Sequence, residues 1–575
     1  MTNKKFLNLF LNKTTSLILM VGFLTISFGE TQKPVRAKHG MVVTVSTPAS
    51  KVGLQILKQG GNAVDAAVAT AFALAVTYPF AGNIGGGGFM VIHLKSGKNT
   101  TIDFREKAPL KASRNMYLDK NGKYVPSLSK EGALAVGVPG SVAGMIYALK
   151  KYGTMTLSKV IEPAIKLAKN GWKLDMRSAK MFKKFLPKFS KYPVSFKIFS
   201  NNGKPYKEGE LFVQPELAET LELIKNKGLD GFYKGKTAEL LIKQIQDLGG
   251  IITQKDLDKY KAVERKPIIG EYRGYKIVSM PPPSSGGIIL VEMLNVLENF
   301  KFKPSEWGSS TYYHKLVETM KYAYADRSVH LGDADFYPVP QRGLLSKDYA
   351  KTIFNKIGDK AVPASKIAAG KPQQFQEPHE TTHYSIYDKD GNAVSVTTTL
   401  NSAFGNKVVV AGAGFLLNNE MDDFSAKPGV PNQFGLIGGE GNSIEPEKRM
   451  LSSMTPTIVL KDGKPFLVIG SPGGSTIITT VMQVILNCID FNMNIQEAID
   501  MPRIHNQWLP DQIFYEKYAI NLDTAEKLKS MGYKLADIRK SFRIIGIAEG
   551  IMIDNTNNLI YGASDPRGGG SAEGY

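Results

Sequence analysis

A mixed α/β (α+β) chain is predicted by two periodicities that occupy different parts of the sequence, together with a composition able to fill a large core. Paired β-rich runs around short turns recur at 381–401, 454–472 and 550–563. From 140 to about 248, apolar residues recur at helical spacing instead. Apolar residues make up 43% of the chain and charged residues 22%, which excludes a disordered chain. The length of 575 residues would by itself suggest about four domains.

The chain begins with Lys4, Lys5 and Lys13, then the apolar run SLILMVGFLTISFG, then a polar stretch from Glu30. That is the layout of a secretory signal over residues 1–29, with Ser27-Phe28-Gly29 as a small-residue cleavage site, so the protein is expected to be exported to the periplasm or secreted. An uncleaved membrane anchor is the competing reading, and the absence of cysteine there excludes a lipoprotein anchor. No other segment is long and apolar enough to span a bilayer; AVDAAVATAFALAVTYPF carries Asp65 and is expected to be a buried helix. The single cysteine, Cys488, cannot form an internal disulfide and is expected in the core. The net charge of +20 is scattered along amphipathic helices, without the signature of a nucleic-acid-binding module.

After the signal, MVVTVS is expected to be a strand, followed by two helices, the second after Gly60-Gly61. The glycines at 85–88 imply close backbone approach. They lack the G-x-G-x-x-G spacing of a dinucleotide loop. FMVIHL and the run ending at Phe104-Arg105 are the next strands, where Arg105 could grip a carboxylate with two hydrogen bonds or form a surface ion pair. SVAGMIYALKKYG, LSKVIEPAIKLAKNG, ELAETLELIKNKG and TAELLIKQIQDLGG are helices with glycine at their ends. GEYRGYKIVSM reads as one strand, stopped by PPPSSGG before a helix at IILVEMLNVLENF. Residues 357–378 are poor in apolar groups and rich in Lys, Gln and Pro, so they read as an exposed connector able to move away after a cut.

The stretch PHETTHYSIYD, from Pro378, carries the chemistry. Threonine is a weak nucleophile unless a base lies within hydrogen-bond reach. A free α-amine, with a pKa of about 7.7–8.0, is such a base and is attached to the residue it must activate. Cleavage between Glu380 and Thr381 would supply it. If Asp390-Gly391 is a two-residue loop, Thr381 lies opposite Leu400; one residue more or less in the loop puts it opposite Thr399 or Asn401. In TPTIVLKDGKPFLVIGSPGG the turn at Asp462-Gly463 puts Ser452 and Ser453 beside Gly473 and Pro472, so two hydroxyls meet glycines whose N–H groups could hold an oxyanion.

Two rival chemistries share these residues. His379-Glu380-Thr381-Thr382-His383 satisfies the H-E-x-x-H zinc motif, which requires a helix. The sequence that follows is β-rich, and in a strand the two histidines would stand about 13 Å apart at about 3.3 Å per residue. A G-x-S-x-G elbow is absent, so a conventional serine hydrolase lacks its best marker.

TTHYSIYDKDGNAVSVTTTLNSAFG, GFLLNNEMDDFSAKPGVPN, RMLSSMTPTIVLKDGKP, GSPGGSTIITT and YGASDPR, with FREKAP and PPPSSGG upstream, resemble the γ-glutamyltransferases (γ-glutamyltranspeptidases) of the N-terminal-nucleophile hydrolase superfamily. The likeness runs from about Lys38 to Tyr575. It implies a four-layer αββα sandwich formed by two subunits cut from one precursor, a large subunit 30–380 and a small subunit 381–575. It implies Thr381 as nucleophile, Thr399 orienting it, and Gly473 and Gly474 as the oxyanion hole. Asn401, Glu420 and Asp423 match positions that hold a substrate α-amino group, and Arg105, Ser452 and Ser453 those at its α-carboxylate. On residue chemistry alone, Asp422-Asp423 could equally be a turn start. Glu420 stands where some relatives carry Gln. Phe434 stands where lid-bearing bacterial relatives commonly place a tyrosine bonded to the asparagine matching Asn401, which bears on the balance of hydrolysis against transfer.

The activity implied is hydrolysis of the γ-glutamyl bond of glutathione and related compounds, or transfer of the γ-glutamyl group to amino acids or peptides, with no metal or organic cofactor. A poly-γ-glutamate or β-lactam side-chain acylase is the alternative within the fold. Outside it stand a zinc protease, expected to stay one chain and to fail with a chelator, and an inactive binding protein that holds γ-glutamyl compounds without turnover.

Overall fold

Two seven-stranded antiparallel sheets lie face to face, and their alternating side chains decide which layer each residue serves. The computed structural model describes residues 32–370, 383–541 and 544–575. The first sheet runs, in spatial order, Val35–Ala37, Leu559–Ser564, Glu549–Asp554, Lys464–Ile469, Thr457–Lys461, Tyr275–Ser279 and Ile268–Tyr272. The second runs Ser571–Gly574, Met41–Thr44, His383–Tyr387, Ala393–Thr399, Gly87–His93, Asn99–Asp103 and Val263–Arg265.

Met41, Val43, Phe89 and Val91 of the second sheet meet Val278, Ile458, Val468 and Ile551 of the first in a dry layer between the sheets. Their neighbours along the strands, Val42, Met90 and Ile92, point the other way, into a core shared with Thr47–Lys58 and Ala63–Thr77. On the far side Ile277, Val459, Leu467 and Ile469 pack on Gly286–Leu297, Ser310–His330 and Thr476–Ile489. The layers are therefore helix, sheet, sheet, helix, the four-layer αββα sandwich of the N-terminal-nucleophile hydrolases.

Local chemistry explains the elements. The helix Ala63–Thr77 is buried at every residue and starts on a capping box, in which Asn62 accepts from Val64 N and Asp65 N and Asp65 accepts from Asn62 N. Asp65 also accepts from Thr154 and Met155, so the one charge in this apolar run is fully bonded. The glycines at 85–88 are required by contact: a Cβ on Gly86 would lie 2.0 Å from the Thr399 carbonyl, and one on Gly88 2.3 Å from that of Thr397. Cys488 is buried and free.

Four expectations need correction. The 383–399 hairpin pairs His383 with Thr397 and Tyr387 with Ala393, one residue away from the register of a two-residue loop. The cause is Asp388, whose Oδ1 accepts from Asp390 N and Asn392 N while its own N–H bonds the Asn392 carbonyl, closing a three-residue loop with Gly391 at φ 92°. The next hairpin turns at Asp462-Gly463 as expected, with both residues at positive φ, and the pairs nearest the turn keep the expected register, but a bulge between Val459 and Leu460 shifts the pairs from Thr457 to Val459 by one. GEYRGYKIVSM is two strands, Ile268–Tyr272 and Tyr275–Ser279, because Arg273 at φ 49° and Gly274 at φ 81° make a tight turn. Finally, the connector is at least partly exposed along most of 357–370, as expected, but its backbone is bonded by side chains at Gly358, Val362 and Gly370.

Candidate active site

Arg105 sits just beyond the strand Asn99–Asp103 and is fully buried. Its Nη1 donates to Glu420 Oε1, its Nη2 donates to Asp423 Oδ2 at 2.8 Å, and its Nε reaches the Met450 carbonyl at 3.4 Å. Tyr260 and Arg449 hold the Arg105 carbonyl at 2.7 and 3.3 Å. The guanidinium is thereby fixed between the single turn Glu420–Asp423 and the segment that leads into Ser452 and Ser453.

The carboxylates predicted to hold an ammonium are thus bonded to the arginine predicted to hold a carboxylate, an arrangement that sequence spacing could not reveal. Glu106, which sequence reasoning passed over, completes the cluster. Its carboxylate lies 3.8 Å from Arg105 Nη1 and is fully buried, and burial pushes its pKa up to about 7 against the pull of Arg105. Asp422 faces away from this cluster, and its oxygens accept from Ser129, Tyr124 and Gln433 N, which pins the covering loop.

Ser452 Oγ is buried and makes no hydrogen bond among the described residues. Ser453 Oγ accepts from Arg327 Nη2 at 3.4 Å. Both serines are placed by PPPSSGG, since Ser285 donates twice to the Ser452 carbonyl and Ser284 forms a bridge with Ser452. Arg327 spans to Ser285 Oγ at 3.2 Å and carries no signal in the sequence that could have singled it out.

Thr399 ends its strand opposite Gly87, and its Oγ1 accepts from Asn401 N at 2.7 Å. Asn401 takes the left-handed region at φ 70°, which turns the chain toward Asn419. Its Nδ2 donates to the Asn419 carbonyl at 2.9 Å, while its Oδ1 is buried without a partner among the described residues. Gly473 and Gly474, at φ 140° and 58°, stand just before the helix Thr476–Ile489. Their carbonyls accept from that helix, and their N–H groups donate to nothing among the described residues. Phe434 covers this turn, for a Cβ on Gly474 would lie 2.7 Å from its ring. The covering loop is tied down by Asn432 to Asp423 at 3.3 Å and by Gln507 to the Phe434 carbonyl at 3.3 Å.

Glu380 and Thr381 lie outside the described residues, as do the 1–29 segment and His379 of the zinc motif. His383 is in a strand, where its Nε2 donates to Ser385 Oγ at 2.8 Å; that hydroxyl donates onward to the Glu549 carbonyl. Among the described residues no group of His, Cys, Asp and Glu is arranged to hold a metal ion.

Burial depresses the His383 pKa to about 3, so the ring is neutral in the folded protein. The unfolded chain takes up a proton near pH 6.5, so this contribution to stability is complete above that pH and is lost as pH falls toward 3. Between pH 7.5 and 5 the loss amounts to about 2 kcal/mol at 1.36 kcal/mol per pH unit below 6.5. Thermal unfolding is expected to show a smaller drop between these pH values for His383→Gln than for wild type; an equal drop would remove His383 as the cause.

Residues 49–575 match the family model described as Gamma-glutamyltranspeptidase. The "Glutathione hydrolase proenzyme" of Escherichia coli (strain K12) is 53% identical over 539 residues, covering 93% of this chain and 91% of that protein. The protein of the same name from Pseudomonas sp. (strain A14) is 50% identical, covering 97% and 98%. Among solved structures, cephalosporin acylase from Bacillus halodurans superposes with a TM-score of 0.84 at 30% identity, covering 96% of this chain and 98% of that one. Helicobacter pylori gamma-glutamyltranspeptidase gives 0.57 at 52% identity, covering 59% of this chain and 97% of that one.

Proposed function

This chain belongs to the gamma-glutamyltranspeptidase family, as a self-processing γ-glutamyltransferase of the glutathione hydrolase type, and from that premise we propose how its residues act. The observation that carries the reading is one buried guanidinium, Arg105, bonded to two carboxylates, Glu420 and Asp423, and to the Met450 carbonyl, two residues before Ser452. A glutamyl α-amino acid headgroup brings one positive and one negative charge. Its carboxylate takes the fork of Arg105 with Ser452 and Ser453, and its ammonium takes Glu420, Asp423 and the Asn401 amide oxygen. Each buried ion pair is exchanged for another, so no charge is left uncompensated.

In maturation the Thr381 hydroxyl attacks the Glu380 carbonyl carbon. The Glu380–Thr381 amide breaks, an ester forms, and water opens it, leaving Thr381 with a free α-amine; enforced proximity favours this intramolecular step. The orienting group in this mechanism is the Thr399 hydroxyl. In turnover Thr381 Oγ attacks the γ-carbonyl carbon of glutathione, and the α-amine takes the hydroxyl proton and passes it to the leaving nitrogen. The N–H groups of Gly473 and Gly474 stabilise the oxyanion. The γ-glutamyl ester on Thr381 is then opened by water or by the amine of an acceptor amino acid or peptide.

Phe434 covers Gly474 with an apolar face and offers no hydroxyl to Asn401, whose amide already bonds the Asn419 carbonyl. This cover sets how freely water reaches the ester. We further place an export signal at 1–29, with a large subunit 30–380 and a small subunit 381–575 remaining together as a heterodimer. No helix among the described residues is long and apolar enough to cross a membrane. Denaturing electrophoresis of the purified protein is expected to give two bands, with the smaller starting at Thr381 by N-terminal sequencing. A functional enzyme in one intact band would overturn the mechanism.

A further inference from the structure

The loop that lies over the turn Gly473-Gly474 is held at one residue, Phe434, by side chains on both of its backbone polar groups. Its N–H donates to Asn432 Oδ1 at 3.0 Å, and its carbonyl accepts from Gln507 Nε2 at 3.3 Å. Asn432 belongs to the loop itself and leads back to Asp423 of the arginine cluster. Gln507 comes from the segment 504–512, so its bond ties the loop to the body of the protein at the residue whose ring meets Gly474.

The atoms of this grip can be assigned from their chemistry. A carbonyl only accepts, so Gln507 must present its amide nitrogen to Phe434, and its amide oxygen then faces His505 Nε2 at 3.1 Å. That oxygen accepts in turn, so His505 Nε2 carries the ring proton. Burial lowers the His505 pKa to about 4, so the ring is neutral and its Nδ1 is left as an acceptor, 2.9 Å from the Thr479 hydroxyl. Thr479 lies in the first turn of the helix Thr476–Ile489, which starts just after Gly474. Tyr324 closes the remaining side: its ring stands edge-on to the His505 ring, with centroids 5.6 Å apart, and its hydroxyl donates to the Ser475 carbonyl. The helix that starts at the glycine turn is therefore joined, through Thr479, His505 and Gln507, to the residue that covers the same turn.

The segment that carries Gln507 is itself fixed. Trp508 N donates to Asn506 Oδ1 at 2.8 Å, Asn506 Nδ2 to the Gln512 carbonyl at 3.0 Å, and Trp508 Nε1 to the Ala364 carbonyl at 3.1 Å. The Gln507 side chain bonds Phe434 and His505, and among the described residues it bonds none of Arg105, Glu420, Asp423, Ser452 or Ser453, so its effect on the reaction passes through the loop.

We propose that Gln507, oriented by His505, is a positioning residue: it holds the Phe434 ring over Gly474 and thereby sets how the γ-glutamyl ester is divided between water and an amine acceptor, a role that rests on the ester mechanism of the proposed function. An apolar ring over the oxyanion turn keeps water from the ester carbonyl. Water needs no binding site, whereas an amine acceptor must be held in line for attack. A displaced cover therefore speeds hydrolysis more than transfer.

Gln507→Met keeps the length of the side chain and removes both of its polar groups. Hydrogen exchange of residues 430–438 is expected to be about threefold faster or more in the purified variant than in wild type, the scale of one lost hydrogen bond. With glutathione and an acceptor amino acid at fixed concentrations, the ratio of free glutamate to γ-glutamyl acceptor is expected to rise by a similar factor. A ratio taken within one preparation does not depend on how much of the protein is folded, so general damage leaves it unmoved. In a Phe434→Ala background, Gln507→Met is expected to add nothing to the ratio, because the ring it positions is gone. Should Gln507→Met fail to fold, His505→Phe, which keeps a ring and removes the donor that orients Gln507, decides by the same ratio. Unchanged exchange overturns the grip. Faster exchange with an unchanged ratio, or a full additional effect in the Phe434→Ala background, overturns its role in the reaction. A wild-type enzyme that forms neither product overturns the ester mechanism instead, a result that the exchange measurement keeps apart from loss of the grip.

Discussion

Thr381→Ala is expected to leave a single uncut chain with glutathione hydrolysis reduced by about 10⁴-fold or more, the scale seen when a covalent nucleophile is deleted. The variant loses two things at once, the oxygen that breaks its own peptide bond and the oxygen that carries the γ-glutamyl group. Thr381→Ser keeps that oxygen and is expected to cut and turn over, at reduced rates. Gel analysis and release of the amine product measure both effects. Should the alanine variant split at the same bond, a different group or a protease makes the cut, and the link between maturation and catalysis is broken.

Arg105→Ala is the second large effect. It removes the guanidinium that bonds Glu420 and Asp423 and lies 3.8 Å from Glu106, and so takes a buried cation from all three carboxyl groups. Breaking a buried pair in this way costs about 3–5 kcal/mol. Separately, losing a charged hydrogen-bond partner for the substrate carboxylate, worth about 1.5–3 kcal/mol, is expected to lower kcat/KM for a γ-glutamyl substrate by roughly one to two orders of magnitude at about 1.4 kcal/mol per tenfold. Arg105→Lys keeps the charge but replaces a planar fork by a point cation that cannot bond two separate carboxylates in fixed directions. It is expected to recover most of the lost thermal stability and little of the lost kcat/KM. If lysine restored both, recognition would depend on charge alone and the fork would be irrelevant.

Which features were legible in the sequence follows from the range over which the determining contacts act. Helices, strands and the Asp462-Gly463 turn depend on neighbours within a few positions, and they appear where periodicity puts them. The 383–399 hairpin takes the one-residue change in loop length that the sequence left open, because Asp388 bonds Asp390 and Asn392 and lengthens the loop, a side-chain effect that the Asp390-Gly391 pair conceals. The bulge between Val459 and Leu460 left no mark in a run that is apolar throughout. The candidate site residues come from resemblance, and the structure bonds Arg105 to Glu420, to Asp423 and to the Met450 carbonyl, two residues before Ser452. Their actual bonding was not legible, because Arg105 and Glu420 are 315 positions apart. Glu106 stood in plain view within FREKAP, yet only its burial beside Arg105 marks it out. Low apolar content made 357–370 look free, whereas its anchors are hydrogen bonds to backbone groups, which composition does not record.

The order of strands has one more consequence if the chain is cut at the proposed Glu380–Thr381 bond. Met41–Thr44, from the part before the cut, is zipped between Ser571–Gly574 and His383–Tyr387, both from the part after it. In the other sheet Leu559–Ser564 binds Val35–Ala37 on one edge, while Thr457–Lys461 binds Tyr275–Ser279 further in. The two products are thus woven through each other and have no surface along which to part intact. Dilution will not dissociate them, and coming apart and melting will be a single event.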